Sequence, residues 1–173
     1  MCIEYHFGMP LLLMLLTIAI GAAGPPSTTT VVLVRHAERQ GTMTADPPLS
    51  PAGLARAQRL AALFGETHGN GRIDTIYVTD TRRTQQTAAP LAADLHERPI
   101  VMPAGDVAGL ASRVLRDNRG QHVLIVGHSN TVPELVHALS GLTVDPISDG
   151  DYENIYIVTI PSNGPATLLH LRY

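Results

Sequence analysis

From residue 31 onward, short runs of β-branched and apolar residues alternate with longer stretches in which Ala, Leu and Arg recur at helical spacing. That succession predicts strands alternating with helices. Strands are expected at 31–34, 74–78, 99–102, 122–126, 154–160 and 166–171. Between the first two, Ser50 fits an N-cap with Pro51 at the first helical position, and Leu54, Ala57, Ala61 and Phe64 follow at helical intervals up to Gly65. A second helix is expected from just after Asp80 to about Leu95. Two more fit 106–118 and 130–140, the former closed by Asn118-Arg119-Gly120 and the latter by Gly141. There is no internal repeat.

The runs 31–34 and 123–126 are continuously apolar, as central parallel strands covered by helices on both faces must be. The runs 154–160 and 166–171 are separated only by Pro161-Ser162-Asn163-Gly164-Pro165, which predicts a hairpin near one edge. The expected fold is therefore α/β, a three-layer α/β/α sandwich with a mostly parallel sheet and an antiparallel edge strand. At 173 residues, 45% of them apolar, the chain supports one domain with a real core, placed at 31–173.

The N-terminal pattern is different. Leu11 to Ile20 is an apolar run followed by Gly21-Ala22-Ala23-Gly24, which reads as a signal peptide over 1–23 with Ala23 the last residue removed. The run is short for a membrane span of roughly 20 residues, and an uncleaved anchor starting near Met9 is the alternative, a buried helix a third. Residues 1–10 carry Glu4 and no Lys or Arg, which makes Met9 a candidate start. A Ser/Thr/Pro linker over 24–30 would then lead into the domain. The expected location is periplasmic or extracellular, or membrane-anchored if the segment stays. Cys2, the single cysteine, would leave with the signal, so the mature domain could form no disulfide.

A formal charge of -3 gives no field that would draw the chain onto nucleic acid or anionic lipid. No membrane insertion is expected after signal cleavage, and the oligomeric state is open. All 12 basic side chains are Arg, so any oxyanion meets planar guanidinium forks.

Open α/β sheets bind ligands at the carboxyl ends of their strands. Both central strands end alike: the first runs into Arg35-His36 and the other into Gly127-His128-Ser129-Asn130. Two imidazoles and a guanidinium should emerge at one rim. A third strand leads through Thr79-Asp80-Thr81 into Arg82 and Arg83, two cations in the first turn of a helix. The helix dipole disfavours cations there, so either an anionic ligand or pairing with Asp74, Asp80 or solvent has to justify them.

These segments, Leu33-Val34-Arg35-His36-Ala37-Glu38, Leu49-Ser50-Pro51-Ala52-Gly53, Thr79 to Ala88 and Val126-Gly127-His128-Ser129-Asn130, together resemble the histidine phosphatase superfamily, the phosphoglycerate-mutase-like fold. More loosely, Met102-Pro103-Ala104-Gly105-Asp106-Val107 is similar to the small bacterial phosphohistidine phosphatases. The resemblance implies that His36 is the nucleophile, that Arg35 and Arg83 hold the phosphoryl oxygens, and that His128 completes the pocket. Arg83 is preferred to Arg82 by its spacing to Gln86-Thr87-Ala88. Amides near Ser129 and Asn130 would add donors at a helix start. No metal or other cofactor is implied, although His36, His128 and Glu38 are residue types that ligate zinc.

A general acid is not obvious. Asp106 and Glu38 are the candidates, with Asp149 and Asp151 as further ones. Asp106 equally suits an N-cap, and Glu38 an orienting role in the motif loop. Leaving groups that depart with little proton help, such as the imidazole of phosphohistidine, are then favoured over simple alkyl esters. The expected function is an exported phosphohydrolase acting through a phosphohistidine intermediate on a small phosphorylated compound or on protein phosphohistidine. A non-catalytic module binding phosphate or an anionic glycan in the same pocket is the alternative.

Overall fold

A computed structural model of the chain describes residues 1, 27–41, 44–65 and 71–173. Apart from Met1, the expected signal segment 1–23 lies outside them, as do 24–26 of the expected linker. No helix among the described residues is long and apolar enough to cross a membrane.

The elements follow in the order β1 (Thr28–Arg35), α1 (Pro51–Phe64), β2 (Thr75–Thr79), α2 (Arg82–Leu95), β3 (Ile100–Met102), α3 (Val107–Asp117), β4 (His122–Gly127), α4 (Thr131–Ser140), β5 (Asn154–Pro161) and β6 (Thr167–Arg172). β1 starts three residues before the apolar run. Thr28, Thr29 and Thr30 look like linker by composition, yet they are β-branched and pair with Pro161, Ile160 and Thr159 of β5. The helix punctuation matches its sequence signals. Ser50 Oγ accepts from Gly53 N at the start of α1, and Asp106 accepts from Gly109 N at the start of α3. Gly141 closes α4 in the left-handed conformation at φ 73°.

All six strands form one sheet in the order β3-β2-β4-β1-β5-β6. β3, β2, β4 and β1 run parallel, whereas β5 is antiparallel to β1, and β6 pairs antiparallel with β5 at the edge. Alternate residues of the central strands feed two separate cores, since successive side chains leave opposite faces of a sheet. Val31, Leu33, Val123 and Ile125 pack with Leu110 and Val114 of α3 and Val132, Leu135 and Val136 of α4. Val32, Val34, Leu124 and Val126 pack with Leu60 of α1 and Ala88, Leu91 and Leu95 of α2. The result is the three-layer sandwich.

The parallel register sets up the functional rim. Arg35 lies opposite Gly127 at the ends of β1 and β4, so the next residue of each strand, His36 and His128, leaves the sheet side by side. The His36 amide extends the ladder one step further by donating to Gly127 O at 2.9 Å.

Candidate active site

The two imidazoles meet edge to face, with ring centroids 5.3 Å apart and an interplanar angle of 69°. His36 is 5% exposed. Its Nδ1 lies 2.8 Å from the carbonyl oxygen of Ala37. A carbonyl can only accept, so Nδ1 carries the proton of the neutral ring and Nε2 keeps its lone pair. Burial pushes the His36 pKa from 6.5 to about 4; the Ala37 hydrogen bond opposes this, and the charges of His128, Arg83 and Arg35 add to the lowering. The ring is thus neutral and oriented across the neutral pH range, with the Nε2 lone pair free.

His128 is half-buried and its pKa is also lowered, first by burial and then by Arg83, with Asp80 and Arg35 opposing each other in smaller measure. Its Nε2 sits 3.0 Å from Thr79 Oγ1, at the end of β2, and its backbone N donates to Thr131 Oγ1 at 3.1 Å. The ends of β2 and β4 and the start of α4 therefore fix this second histidine.

Two guanidinium groups flank the histidines. Arg35 is 4% exposed, and burial lowers its pKa despite the nearby acids Asp149 and Asp151. Its Nη1 donates to the carbonyls of Ser148, Asp149 and Asp151 at 2.7, 3.0 and 3.0 Å. Arg83 turns inward from the first turn of α2 with its side chain 15% exposed, whereas Arg82 is exposed. The Nε atoms of both Arg35 and Arg83 are buried without a hydrogen-bond partner. Buried donors of this kind are rarely left unmatched, and guanidinium groups beside a pair of imidazoles are chemically suited to an oxyanion.

The pairing that compensates the cations at the start of α2 comes from Asp46, rather than from Asp74 or Asp80. Both carboxylate oxygens of Asp46 accept from Arg82 N at 3.1 Å, which caps the helix, and Oδ1 is 3.4 Å from Arg83 Nη1. Asp46 satisfies the dipole as an acid at a helix N-terminus does, while the long contact leaves Arg83 Nε unpaired. The segment carrying Asp46 gave no periodic signal.

The loop after His36 is held from several sides. Ala37 N donates to Thr87 Oγ1 at 2.9 Å, Ser50 N to Glu38 O at 2.8 Å, and Arg56 grips the Glu38 carboxylate through Nε and Nη2 at 2.8 to 3.0 Å. Burial raises the Glu38 pKa, but the Arg56 hydrogen bonds outweigh it and leave the group below its ordinary value. An ionised carboxylate has no proton to donate, so the geometry gives Glu38 the orienting role. It also turns Glu38 away from any three-ligand set with His36 and His128; among the described residues no group of His, Cys, Asp and Glu is placed to hold a metal ion.

Asp106 is an exposed N-cap committed to Gly109 N. Asp149 lends Arg35 its carbonyl, and the Asp151 carboxylate faces Arg172. Ser129 and Asn130 form the turn into α4, the first half-buried and the second exposed. Sequence reasoning missed Tyr152, whose ring lies 4.1 Å beneath the Arg35 guanidinium and 6.0 Å from the His36 ring. Its only sequence signal is an aromatic residue in the polar loop before β5.

Comparison with known proteins agrees with this geometry. Residues 31–104 match the model of the histidine phosphatase superfamily (branch 1), a span that includes Arg35, His36 and Arg83. No curated protein matches the chain in sequence. Among solved structures, the protein histidine phosphatase SixA complexed with tungstate superposes with a TM-score of 0.67 at 23% identity, over 83% of this chain and 96% of that one. The alpha-ribazole phosphatase from Shigella flexneri gives a TM-score of 0.65 at 20% identity, over 83% and 96%. At these identities the likeness is one of fold, and it is the fold expected from the sequence. The resemblance to the histidine phosphatase superfamily is borne out.

Proposed function

For a chain with the histidine phosphatase fold and the superfamily's motifs in place, we propose a phosphohydrolase that works through a phosphohistidine on His36. The observation that carries this is the convergence of an oriented, unprotonated His36 with His128 and two buried, unpaired guanidinium Nε atoms at the carboxyl ends of β1, β2 and β4. The phosphoryl group of the substrate docks with its oxygens on Arg35 and Arg83, which neutralise and orient it. His36 Nε2 attacks phosphorus in line; an N–P bond forms as the bond to the leaving group breaks, and the leaving group departs with the electron pair. Water then attacks the same phosphorus from the vacated side, releasing inorganic phosphate and restoring His36.

The charges acting most strongly on His36 are those of His128, Arg83 and Arg35, with no carboxylate among them. With Asp106 committed to its helix cap and Glu38 to Arg56, substrates whose leaving group departs without prior protonation are favoured, such as protein phosphohistidine or a small activated phosphate. The apolar segment ending in Ala22-Ala23 supports export to the periplasm or beyond, with cleavage after Ala23, and a reporter fusion with N-terminal sequencing of the product tests this.

The direct test of the enzymatic reading is His36→Asn. Hydrolysis of phosphohistidine and of p-nitrophenyl phosphate is expected to fall to background. A variant as active as the parent would refute it, and a parent that binds oxyanions without turning over either substrate would favour a binding module.

A further inference from the structure

Arg35 is held in an unusual way. A single nitrogen, Nη1, faces three carbonyl oxygens of one loop, those of Ser148, Asp149 and Asp151, although it has only two protons to give. The next residue of that loop, Tyr152, places its ring 4.1 Å from the guanidinium carbon, within the range of a cation–π contact. One end of the guanidinium is thereby fixed to the loop and one face to the ring, while Nε remains buried without a partner. The loop is itself anchored from outside: Arg172 of β6 pairs with Asp151 at 3.2 Å and with Glu153 at 2.9 Å.

We propose that Tyr152 is a positioning residue for the oxyanion site, its ring and the 148–151 carbonyls together aiming the Arg35 guanidinium at the phosphoryl group beside His36. The Tyr152 ring also stands 6.0 Å from the His36 ring, so it borders both the histidine and the guanidinium. The contribution belongs to the ring and not to the hydroxyl, because the contact is between the guanidinium and the aromatic face. An Arg35 side chain freed from that face keeps its charge but loses the fixed direction that in-line phosphoryl transfer requires.

This inference rests on the oxyanion-binding half of the proposed function and can be tested without turnover. Calorimetric titration of the full chain with inorganic tungstate should show Tyr152→Leu binding about tenfold more weakly, and Tyr152→Phe within about twofold of the parent, as expected for a partly desolvated cation–π contact. Thermal unfolding of both variants should stay close to the parent, and Tyr152→Met replaces the Leu variant if that one does not fold. With p-nitrophenyl phosphate, the Leu variant should raise KM more than it lowers kcat. Unchanged tungstate affinity in the Leu variant, or an equal loss in the Phe variant, would overturn the proposal. A parent that binds tungstate but hydrolyses nothing would count against the phosphatase reading alone, and the tungstate comparison would still judge Tyr152.

Discussion

Burying His36 as a neutral ring ties the stability of the domain to pH, and the size of that effect follows from the site. Its pKa of about 4 lies below 6.5, the ordinary value that the unfolded chain would show. Between those two values the unfolded state binds the proton and the folded state does not, so stability is full above pH 6.5 and is lost as the pH falls toward 4. Integrating the linkage gives a loss of about 1.4 kcal/mol by pH 5.5 and about 3 kcal/mol by pH 4 relative to pH 7.5. At 5% exposure solvent screening does little to reduce it. His36→Gln keeps a polar side chain and removes the titration. Urea unfolding of parent and variant should be followed at pH 7.5, 5.5 and 4, and the difference between them read at each pH, so that every other titrating group, His128 included, largely cancels. The parent should lose about 3 kcal/mol relative to the variant across the series. Parallel curves would mean that His36 titrates normally in the folded protein and that its burial does not hold it neutral.

Other perturbations separate the parts of the site. Arg83→Ala should lower kcat/KM for p-nitrophenyl phosphate by about a hundredfold, in keeping with loss of a charge-assisted oxyanion contact, whereas Arg82→Ala on the exposed side should stay within about threefold. Gly53→Ala should destabilise the domain by about 2 kcal/mol or more and depress activity, because its Cβ would collide with the Glu38 carbonyl and displace the loop after His36; urea midpoints and kcat/KM check it. Arg56→Met should cost about 3 kcal/mol by leaving Glu38 without its partner, and adding Glu38→Gln should recover part of that loss in a double-mutant cycle.

The parts of this site that sit on strand ends were legible in the sequence. A continuous apolar run followed by Arg35-His36, and a second followed by Gly127-His128, state both the central position of β1 and β4 and the direction in which the histidines leave. The Ser50-Pro51 start of α1 was equally plain, because capping is local chemistry, whereas Asp106 stood open between general acid and N-cap until the fold committed it to Gly109 N. What could not be read acts through backbone or across long separations. The carbonyls that hold Arg35 come from residues more than a hundred positions away, and carbonyl groups leave no mark on residue type. Tyr152 is one aromatic in a loop without period. Asp46 takes its meaning only from the folded position of α2, and Arg56 takes its role only from the packing of α1 against the Glu38 loop. The extension of β1 back to Thr28 was hidden for the opposite reason, since its Thr run has the composition of a linker and the pairing of a strand.

The central claim is that His36 carries the phosphoryl group. Brief incubation of the full chain with labelled phosphohistidine or an aryl phosphate, quenching in alkali and peptide mass spectrometry addresses it directly. A phosphoryl group that survives alkali, is lost in mild acid and maps to the peptide holding Arg35-His36-Ala37, and that is absent from His36→Asn, is the expected result. Steady turnover by the parent with no such adduct, or with the phosphoryl group on His128, would contradict it.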